Sequence, residues 1–370
     1  MHSQSRGCIF FLFSVQNTIA IHFEFSVKIA IFAQLGKTIY QVGTTIKDIA
    51  DKVGVSPSTV SLVLNGKAGS HVSHRTKHII ERAAEEMNYQ VNEVARSLRT
   101  GQSGLISVIV TDISNEVFSK FVFHVQEEAK KQDYLVLTIC TNENAEEFSK
   151  AATTLIGKHI DGIICVTPPG GESTLRRISE KGIPMVLTDR KCEGVDCDFV
   201  GVNNYVATLE AVNKLIEEGC SHIAIVGRSL EVATLSDRIR GYKDALVSAD
   251  LYNPDLVKLV DFEHDGESDN VRKAMKEILE DGAGTDAIFF TSRRVFSEAM
   301  TQMAREGGKI RPDISILCFD DVSSYLTSSL KIRHICQPIR EMAGKAFELL
   351  TEKMNGKKGN ADYIFKAECR

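Results

Sequence analysis

A membrane span needs roughly 20 consecutive apolar residues, and this chain has no such run. Cys8-Ile-Phe-Phe-Leu-Phe13 comes nearest, but His22, Glu24 and Lys28 interrupt the stretch beyond it. No small-residue cleavage site is evident there, so a secretion signal is not supported either. The common catalytic signatures are also missing: there is no GxxxxGK[ST], GxSxG, HExxH or GxGxxG. Gly170-Gly171 follows two prolines and reads as a turn, and no histidine stands convincingly beside a nucleophile. Cysteine occurs nine times (8, 140, 165, 192, 197, 220, 318, 336, 369), an odd number without CxxC spacing. Several sit in apolar runs such as Gly162-Ile-Ile-Cys-Val166, which suggests reduced, buried thiols in a cytosolic protein. Cys192 and Cys197 lack nearby histidines, so neither a metal site nor a cofactor is expected. Charge of one sign is not in excess. The net charge of −5 gives no hint of nucleic acid, and local charge must carry any such argument.

What is present is an ordinary globular composition, 43% hydrophobic and 25% charged over 370 residues. That allows one to three domains with a real core. Residues 1–43 differ from the rest and read as an extra segment, either a mis-assigned start or disordered. Val42 directly precedes the first motif, and the native start is expected near it.

From Thr44 onward the pattern is helical with short loops. Thr45 can cap a helix over Ile46 to Val53, which Gly54 stops. Ser56 is a good N-cap and Pro57 suits the first helical position, where its missing N–H costs nothing. That second helix ends at Asn65-Gly66. Ser73 caps a third helix reaching Met87, with Ile79, Ile80, Ala83, Ala84 and Met87 at helical spacing. A fourth helix is expected from Asn92 to Leu98, before a polar linker at Gly101, Ser103 and Gly104. The domains so defined are 44–90, a hinge and linker at 91–103, and 104–370.

Ala50, Gly54 and Val60 form a helix-turn-helix spacing. A small residue lets the helices approach, a glycine makes the turn, and a β-branched residue packs the second helix back. The outer face of that helix offers Pro57, Ser58, Thr59, Ser61 and Leu62 to base edges or phosphates. Residues 44–100 carry eight Lys/Arg (47, 52, 67, 75, 77, 82, 96, 99) against six Asp/Glu (48, 51, 81, 85, 86, 93), a net of +2. A solvated helical cap is the competing reading.

After Gly104 strands and helices alternate. The strands are Leu105–Val110, Leu135–Cys140, 162–166, Met185–Thr188, 223–226, 256–260, Ala287–Phe290 and 314–319. The helices between them begin near Val117, Ala145, Ser173, Arg240, Asp269 and Glu298. Repeated βα units imply parallel sheets, and two successive sets of similar length suggest two lobes. Ligands would bind beyond the carboxyl ends of the strands, in the cleft.

Thr45-Ile-Lys-Asp-Ile-Ala50, Val53-Gly-Val-Ser-Pro-Ser-Thr-Val-Ser61 and Asn65-Gly66 resemble the head of the lactose-repressor (LacI/GalR) family. Asn88-Tyr-Gln-Val-Asn-Glu-Val-Ala-Arg-Ser-Leu98 resembles its hinge. The resemblance continues through Asp112-Ile-Ser-Asn115, Lys158-His-Ile-Asp-Gly-Ile-Ile164, Ile183-Pro-Met-Val-Leu187 and Phe319-Asp-Asp321. It implies an α/β architecture: an N-terminal helix-turn-helix domain with a hinge helix, then a two-lobed, doubly wound sensor like a periplasmic binding protein. By the resemblance, Pro57, Ser58 and Leu62 face bases in the major groove, while Thr45, Thr59, Ser61 and Asn65 hold phosphates. Leu62 cannot make the bidentate guanine contact of an arginine, so this head should rely more on Ser58 and DNA shape. Asn92, Ala95 and Arg96 would support Leu98, wedged into the minor groove at the operator centre. Val91 replaces a common proline, which should loosen entry to the hinge.

For the sensor, the resemblance places Asp112, Asn115 and Phe118 at the effector, with Arg238 gripping its oxygens and Phe262 stacking on it. Core packing is the competing reading for Phe118. Two departures stand out. Asn203 stands where the family often has aspartate, and Thr291-Ser-Arg-Arg294 replaces an asparagine–aspartate pair, putting Arg293 near the carboxylate position. Fructose-responsive members are similar in having Thr-Ser there. A more positive cleft is expected, and with it an anionic effector such as a phosphorylated sugar; alternatively Arg293 points to solvent or pairs with a neighbouring acid. The resemblance implies a cytoplasmic, non-enzymatic repressor that binds a palindromic double-stranded operator as a homodimer without a membrane partner. The Asp362–Arg370 end shows no leucine heptad for a tetramer. The rivals are an enzyme on the same α/β scaffold and a periplasmic-type sugar-binding protein with no DNA role.

Overall fold

A computed structural model describes residues 44–66, 68–90, 101–261, 269–280, 284–305, 307, 310–323 and 331–370. The chain divides into two compact units, residues 1–93 and 94–370.

The first unit holds α1 (Ile46–Val53), α2 (Pro57–Leu64) and α3 (His74–Glu86). Thr45 and Asp48 form a reciprocal capping box at the start of α1. Gly54 ends α1 at φ 76°, a left-handed turn that suits glycine, and its N–H donates to the Ala50 carbonyl at 2.8 Å. Ser56 and Ser73 cap α2 and α3 by accepting the Thr59 and Thr76 amides. Ile49, Ala50, Val60, Val63, Ile80, Ala83 and Ala84 close a small core. Ile79 does not join it: it is 46% exposed. Ile80, Ala83, Ala84 and Met87 fall on one stripe, and Ile79 lies about 100° round from Ile80. The Thr44 hydroxyl donates to the Met87 carbonyl at 2.7 Å, tying the entering chain to the end of α3.

The second unit contains two six-stranded sheets. One runs β11-β5-β4-β3-β1-β2, the other β12-β10-β9-β8-β6-β7. Their members are β1 (Leu105–Val110), β2 (Leu135–Cys140), β3 (Gly162–Cys165), β4 (Met185–Thr188), β5 (Asp198–Val202), β6 (Ile223–Arg228), β7 (Val257–Val260), β8 (Ala287–Phe290), β9 (Ser315–Phe319), β10 (Lys331–Cys336), β11 (Asp362–Phe365) and β12 (Glu368–Cys369). Pairing is parallel except where β12 runs antiparallel to β10. The helices are α4 (Glu116–Lys131), α5 (Ala145–Gly157), α6 (Glu172–Glu180), α7 (Asn204–Glu217), α8 (Ala233–Ser248), α9 (Asp269–Glu280), α10 (Arg293–Arg305) and α11 (Ile339–Met354). Central strands are buried along their length, which their unbroken apolar runs require.

The lobes are not successive halves of the chain, as two sets of βα units had suggested. The chain passes from β5 to α7 at Asn203, returns from β10 to α11 at Gln337, and crosses a third time between β11 and β12. Helix α11 therefore packs on α4 and β3–β5 of the first lobe. Strand β5 escaped the pattern because it contains Asp198 and Gly201, residue types that strands disfavour. Asp198 is buried there, accepting the Ala361 amide at 2.6 Å beside the Lys353 ammonium. The expected linker is partly structured: the Ser103 and Gly104 amides both donate to the Asp161 carboxylate at 2.8 Å. Asp286 holds the Ser221 and His222 amides in the same way in the second lobe. On the helix-packing side, Gly241 lies against α7, where an added Cβ would stand 2.6 Å from the Tyr205 carbonyl oxygen. The eight described cysteines are free; Cys165, Cys192 and Cys318 are buried and the other five half-buried.

Candidate effector chamber and DNA-reading face

On the head, α2 presents Pro57 and Ser58 exposed and Leu62 at 42% exposure. Thr45 is exposed, while Thr59, Ser61 and Asn65 are half-buried. The Ser56 hydroxyl bonds both Ser58 Oγ at 2.7 Å and Thr59 Oγ1 at 2.8 Å. Asn65 turns its amide back on the Ser61 carbonyl at 2.6 Å. A rigid cap thus fixes the row that faces solvent. Asn92, Ala95, Arg96 and Leu98, together with Phe262 of the sensor, lie outside the described residues.

In the second unit a chamber opens at the carboxyl ends of strands from both lobes. Asp112, Asn115, Phe118, Glu143, Asp189 and Arg190 come from the first lobe; Arg228, Arg238, Ser292, Arg294 and Asp320 from the second; Gln337 stands at a crossover. The space they leave is only about 60 Å³, far below the roughly 300–1,000 Å³ usual for ligand sites. Side-chain pairs fill it. Arg190 binds Glu143 through two bonds of 2.6 and 2.7 Å. Arg228 reaches the same carboxylate at 3.8 Å from the other lobe. Arg294 forms a second cross-lobe ion pair, with Asp112.

Arg238 lines the chamber. It is 4% exposed, donates to Asn204 Oδ1 and the Thr291 carbonyl at 2.8 Å each, and lies 3.5 Å over the Phe319 ring centroid. Asn115 lines the chamber and caps α4 through the Val117 amide at 3.1 Å. Phe118 is 8% exposed, belongs to the main core and has atoms on the chamber wall.

One expectation needs correction, and of the two readings for Arg293 the acid-paired one holds. Asn203 turns away: its side-chain oxygen accepts the Ala367 amide at 2.8 Å, fastening one crossover to another. Arg293 lines outer cavities and not the chamber, and it pairs with Glu116 and the Asp321 carbonyl. It begins α10, so its neighbour Arg294 points about 100° away and takes the inner position. Nor is the chamber simply positive. Arg190, Arg228, Arg238 and Arg294 face Asp112, Glu143, Asp189 and Asp320.

Burial governs the protonation of these groups. It pushes the Asp189 carboxyl up and the Arg228 and Arg238 guanidiniums down. Burial would raise Glu143 as well, but the Arg190 hydrogen bonds and charge outweigh it and hold Glu143 below the usual carboxylate range. Arg190 is raised in return, the Glu143 bonds outweighing its own burial.

The sequence reading missed Glu143, Asp189, Arg190, Arg228, Asp320 and Gln337. Thr188-Asp-Arg190 and Phe319-Asp320 come directly after buried strands, and that position alone could have flagged them. Asp189 and Asp320 also share left-handed backbone, at φ 63° and 78°.

Residues 45–92 match the family described as bacterial regulatory proteins, lacI family, and residues 106–358 match the periplasmic binding protein domain. The chain belongs to the LacI family. A ribose operon repressor of Halalkalibacterium halodurans is 31% identical over 316 residues, 85% of this chain and 91% of that protein. The transcriptional repressor PurR of Aliivibrio fischeri is 29% identical over 317 residues, 85% and 92% of the two chains. Among solved structures, a lac repressor dimer bound to operator and an anti-inducer superposes with a TM-score of 0.74 at 21% identity, covering 88% of this chain and 97% of that one. A LacI-family regulator from Enterococcus faecium with bound ribose gives 0.61 at 20% identity, covering 72% and 96%. These two likenesses concern the fold. As a LacI-family member the chain is a DNA-binding transcription regulator with an effector domain, and not an enzyme. The DNA-free sugar-binding alternative fails on the matched head at 45–92. Among the described residues no helix is long and apolar enough to cross a membrane.

Proposed function

We propose that this LacI-family regulator is a cytoplasmic repressor that docks as a two-fold dimer on a palindromic operator and responds to a sugar. The reading rests on the chamber, where four guanidinium and four carboxyl groups converge at strand ends. Planar forks and carboxylates together suit a small ring bearing several hydroxyls, since each can hold two neighbouring oxygens. The ribose operon repressor among its relatives points the same way. On the DNA side, exposed Pro57, Ser58 and Leu62 would meet base edges, with Thr45, Thr59, Ser61 and Asn65 near phosphates. Asp112, Asn115, Phe118 and Arg238 would touch the effector, joined by Glu143, Asp189, Arg190, Arg228, Asp320 and Gln337.

A phosphorylated sugar is the second reading. One observation favours it: four guanidiniums, those of Arg190, Arg228, Arg238 and Arg294, line one small space, and burial raises the Asp189 carboxyl above its usual range. Isothermal titration with sugars and their phosphates in pairs decides between them, and tighter binding of the neutral member removes the phosphorylated reading. The whole proposal is tested by gel shift with genomic fragments. Specific fragments should be retained over random competitor, with affinity falling steeply as salt rises. Retention of none, with or without sugars, rejects it.

A further inference from the structure

Glu143 is held in the chamber by an unusual stretch of backbone. Asn142 and Glu143 are consecutive non-glycine residues with left-handed φ, 49° and 58°. Such conformations are disfavoured for ordinary side chains and persist where the surroundings impose them. Asn144 then caps α5 by accepting the Glu146 and Glu147 amides, so the loop is pinned directly behind the turn. The result points the Glu143 carboxylate inward. Both its oxygens sit on the Arg190 fork at 2.6 and 2.7 Å, and Arg228 stands 3.8 Å away on the other lobe. The Glu143 side chain is 11% exposed and that of Arg190 10%.

A guanidinium fork with a second arginine beside it is the arrangement that binds phosphate or carboxylate. Here a side chain of the protein already occupies it. We propose that Glu143 is a specificity-determining residue: its carboxylate takes the anion's place on Arg190 and Arg228, so the chamber accepts a neutral sugar and rejects the phosphorylated one. The inference rests on the sugar reading and deepens it. A phosphate entering beside Glu143 would meet like charge in a buried setting, where such juxtapositions are strongly unfavourable. A sugar hydroxyl instead donates to the free lone pairs of the same carboxylate and leaves the fork satisfied. Without the Glu143 charge, Arg190 would keep only the Asp189 carboxylate, 3.5 Å from its Nε, and an exogenous anion would take the two fork nitrogens that Glu143 vacates.

The test compares the intact protein with Glu143→Gln, and with Glu143→Ala in case the amide variant does not fold. Each is titrated calorimetrically with D-ribose and D-ribose 5-phosphate, and with D-fructose and D-fructose 1-phosphate. Thermal melting with added inorganic phosphate is the second readout. Wild type should bind the neutral member of a pair more tightly and should melt at the same temperature with or without phosphate. Glu143→Gln should shift the ratio toward the phosphate by about tenfold or more. It should also melt lower and recover with inorganic phosphate. An unchanged ratio together with no phosphate-dependent recovery overturns the inference while leaving the sugar reading intact. So does a wild type that prefers the phosphorylated sugar. If no sugar or sugar phosphate binds wild type, the sugar reading itself falls and the inference with it.

Discussion

Asp112, just past the end of β1 in one lobe, and Arg294, in the first turn of α10 in the other, form an ion pair across the effector chamber. The Asp112 carboxylate is also held by Ser114, whose amide and hydroxyl donate to it at 3.0 and 2.6 Å. One oxygen therefore steadies the loop while the other reaches the opposite lobe. The open space beside it is only about 60 Å³. The pair thus bridges the two lobes where they face each other across the chamber.

Removing it should loosen the closed arrangement. A double-mutant cycle of Asp112→Asn and Arg294→Gln is expected to give a coupling of about 1–2 kcal/mol, between the values for exposed and buried pairs. Small-angle scattering of effector-free Asp112→Asn should show a larger radius of gyration than wild type. Additive melting shifts with unchanged scattering would mean that the pair carries no clasping energy.

The Glu143–Arg190 pair predicts a pH dependence of known sign. Glu143 titrates below the usual carboxylate range in the folded protein, so the folded state binds fewer protons than the unfolded one near pH 4.5. Its stabilisation is complete above that pH and fades as pH falls through the lowered folded value. The melting-temperature gap between wild type and Glu143→Gln, measured without effector, should be widest near neutrality and narrow below pH 4.5. A gap that stays constant down to strongly acidic pH contradicts the assignment.

On the head, Leu62 stands exposed on α2 without a hydrogen-bonding group. Leu62→Arg gives that position a fork able to read guanine O6 and N7, worth about 1–3 kcal/mol of discrimination. Selection from randomised duplexes should return a guanine at one half-site position where wild type does not. Identical selected sequences would show that residue 62 does not face bases.

Ser56 joins the cap of α2 to the exposed row, bonding the Thr59 amide and the Ser58 hydroxyl. Ser56→Ala should destabilise the head by about 1 kcal/mol, and operator affinity should fall with it. Melting of the intact protein, together with hydrogen exchange of the α2 amides, checks the first effect. Unchanged protection of those amides would refute it.

Gly241 makes a prediction for the second lobe. A methyl group there meets the Tyr205 carbonyl oxygen at 2.6 Å, with backbone of α7 behind it, so neither helix can yield cheaply. Gly241→Ala should lower stability by about 1–3 kcal/mol through overpacking, visible as a lower denaturation midpoint. A neutral substitution would mean that α7 and α8 separate without cost.

The sequence by itself determined the head. Thr45, Gly54, Ser56, Pro57 and Ser73 act through hydrogen bonds and dihedral preferences a few residues long, so their positions mark the ends of α1 to α3. The positions of β1, β3 and β4 were legible too, because unbroken apolar runs suit the buried middle of a sheet. Arg238 could be picked out from its motif. The tertiary structure alone decided the rest. Nothing local marks the chain's three passages between lobes, because α11 and β11 join strands far earlier in sequence. Asn203 is spent on fastening a crossover, and one position along a helix separates Arg293 from Arg294, which lines the chamber. Glu143 is an ordinary loop residue in sequence. It becomes part of the chamber only because Arg190, 47 residues on, and Arg228 of the other lobe converge on it. Charge pairing of that kind depends on distance in space, which periodicity along the chain does not encode.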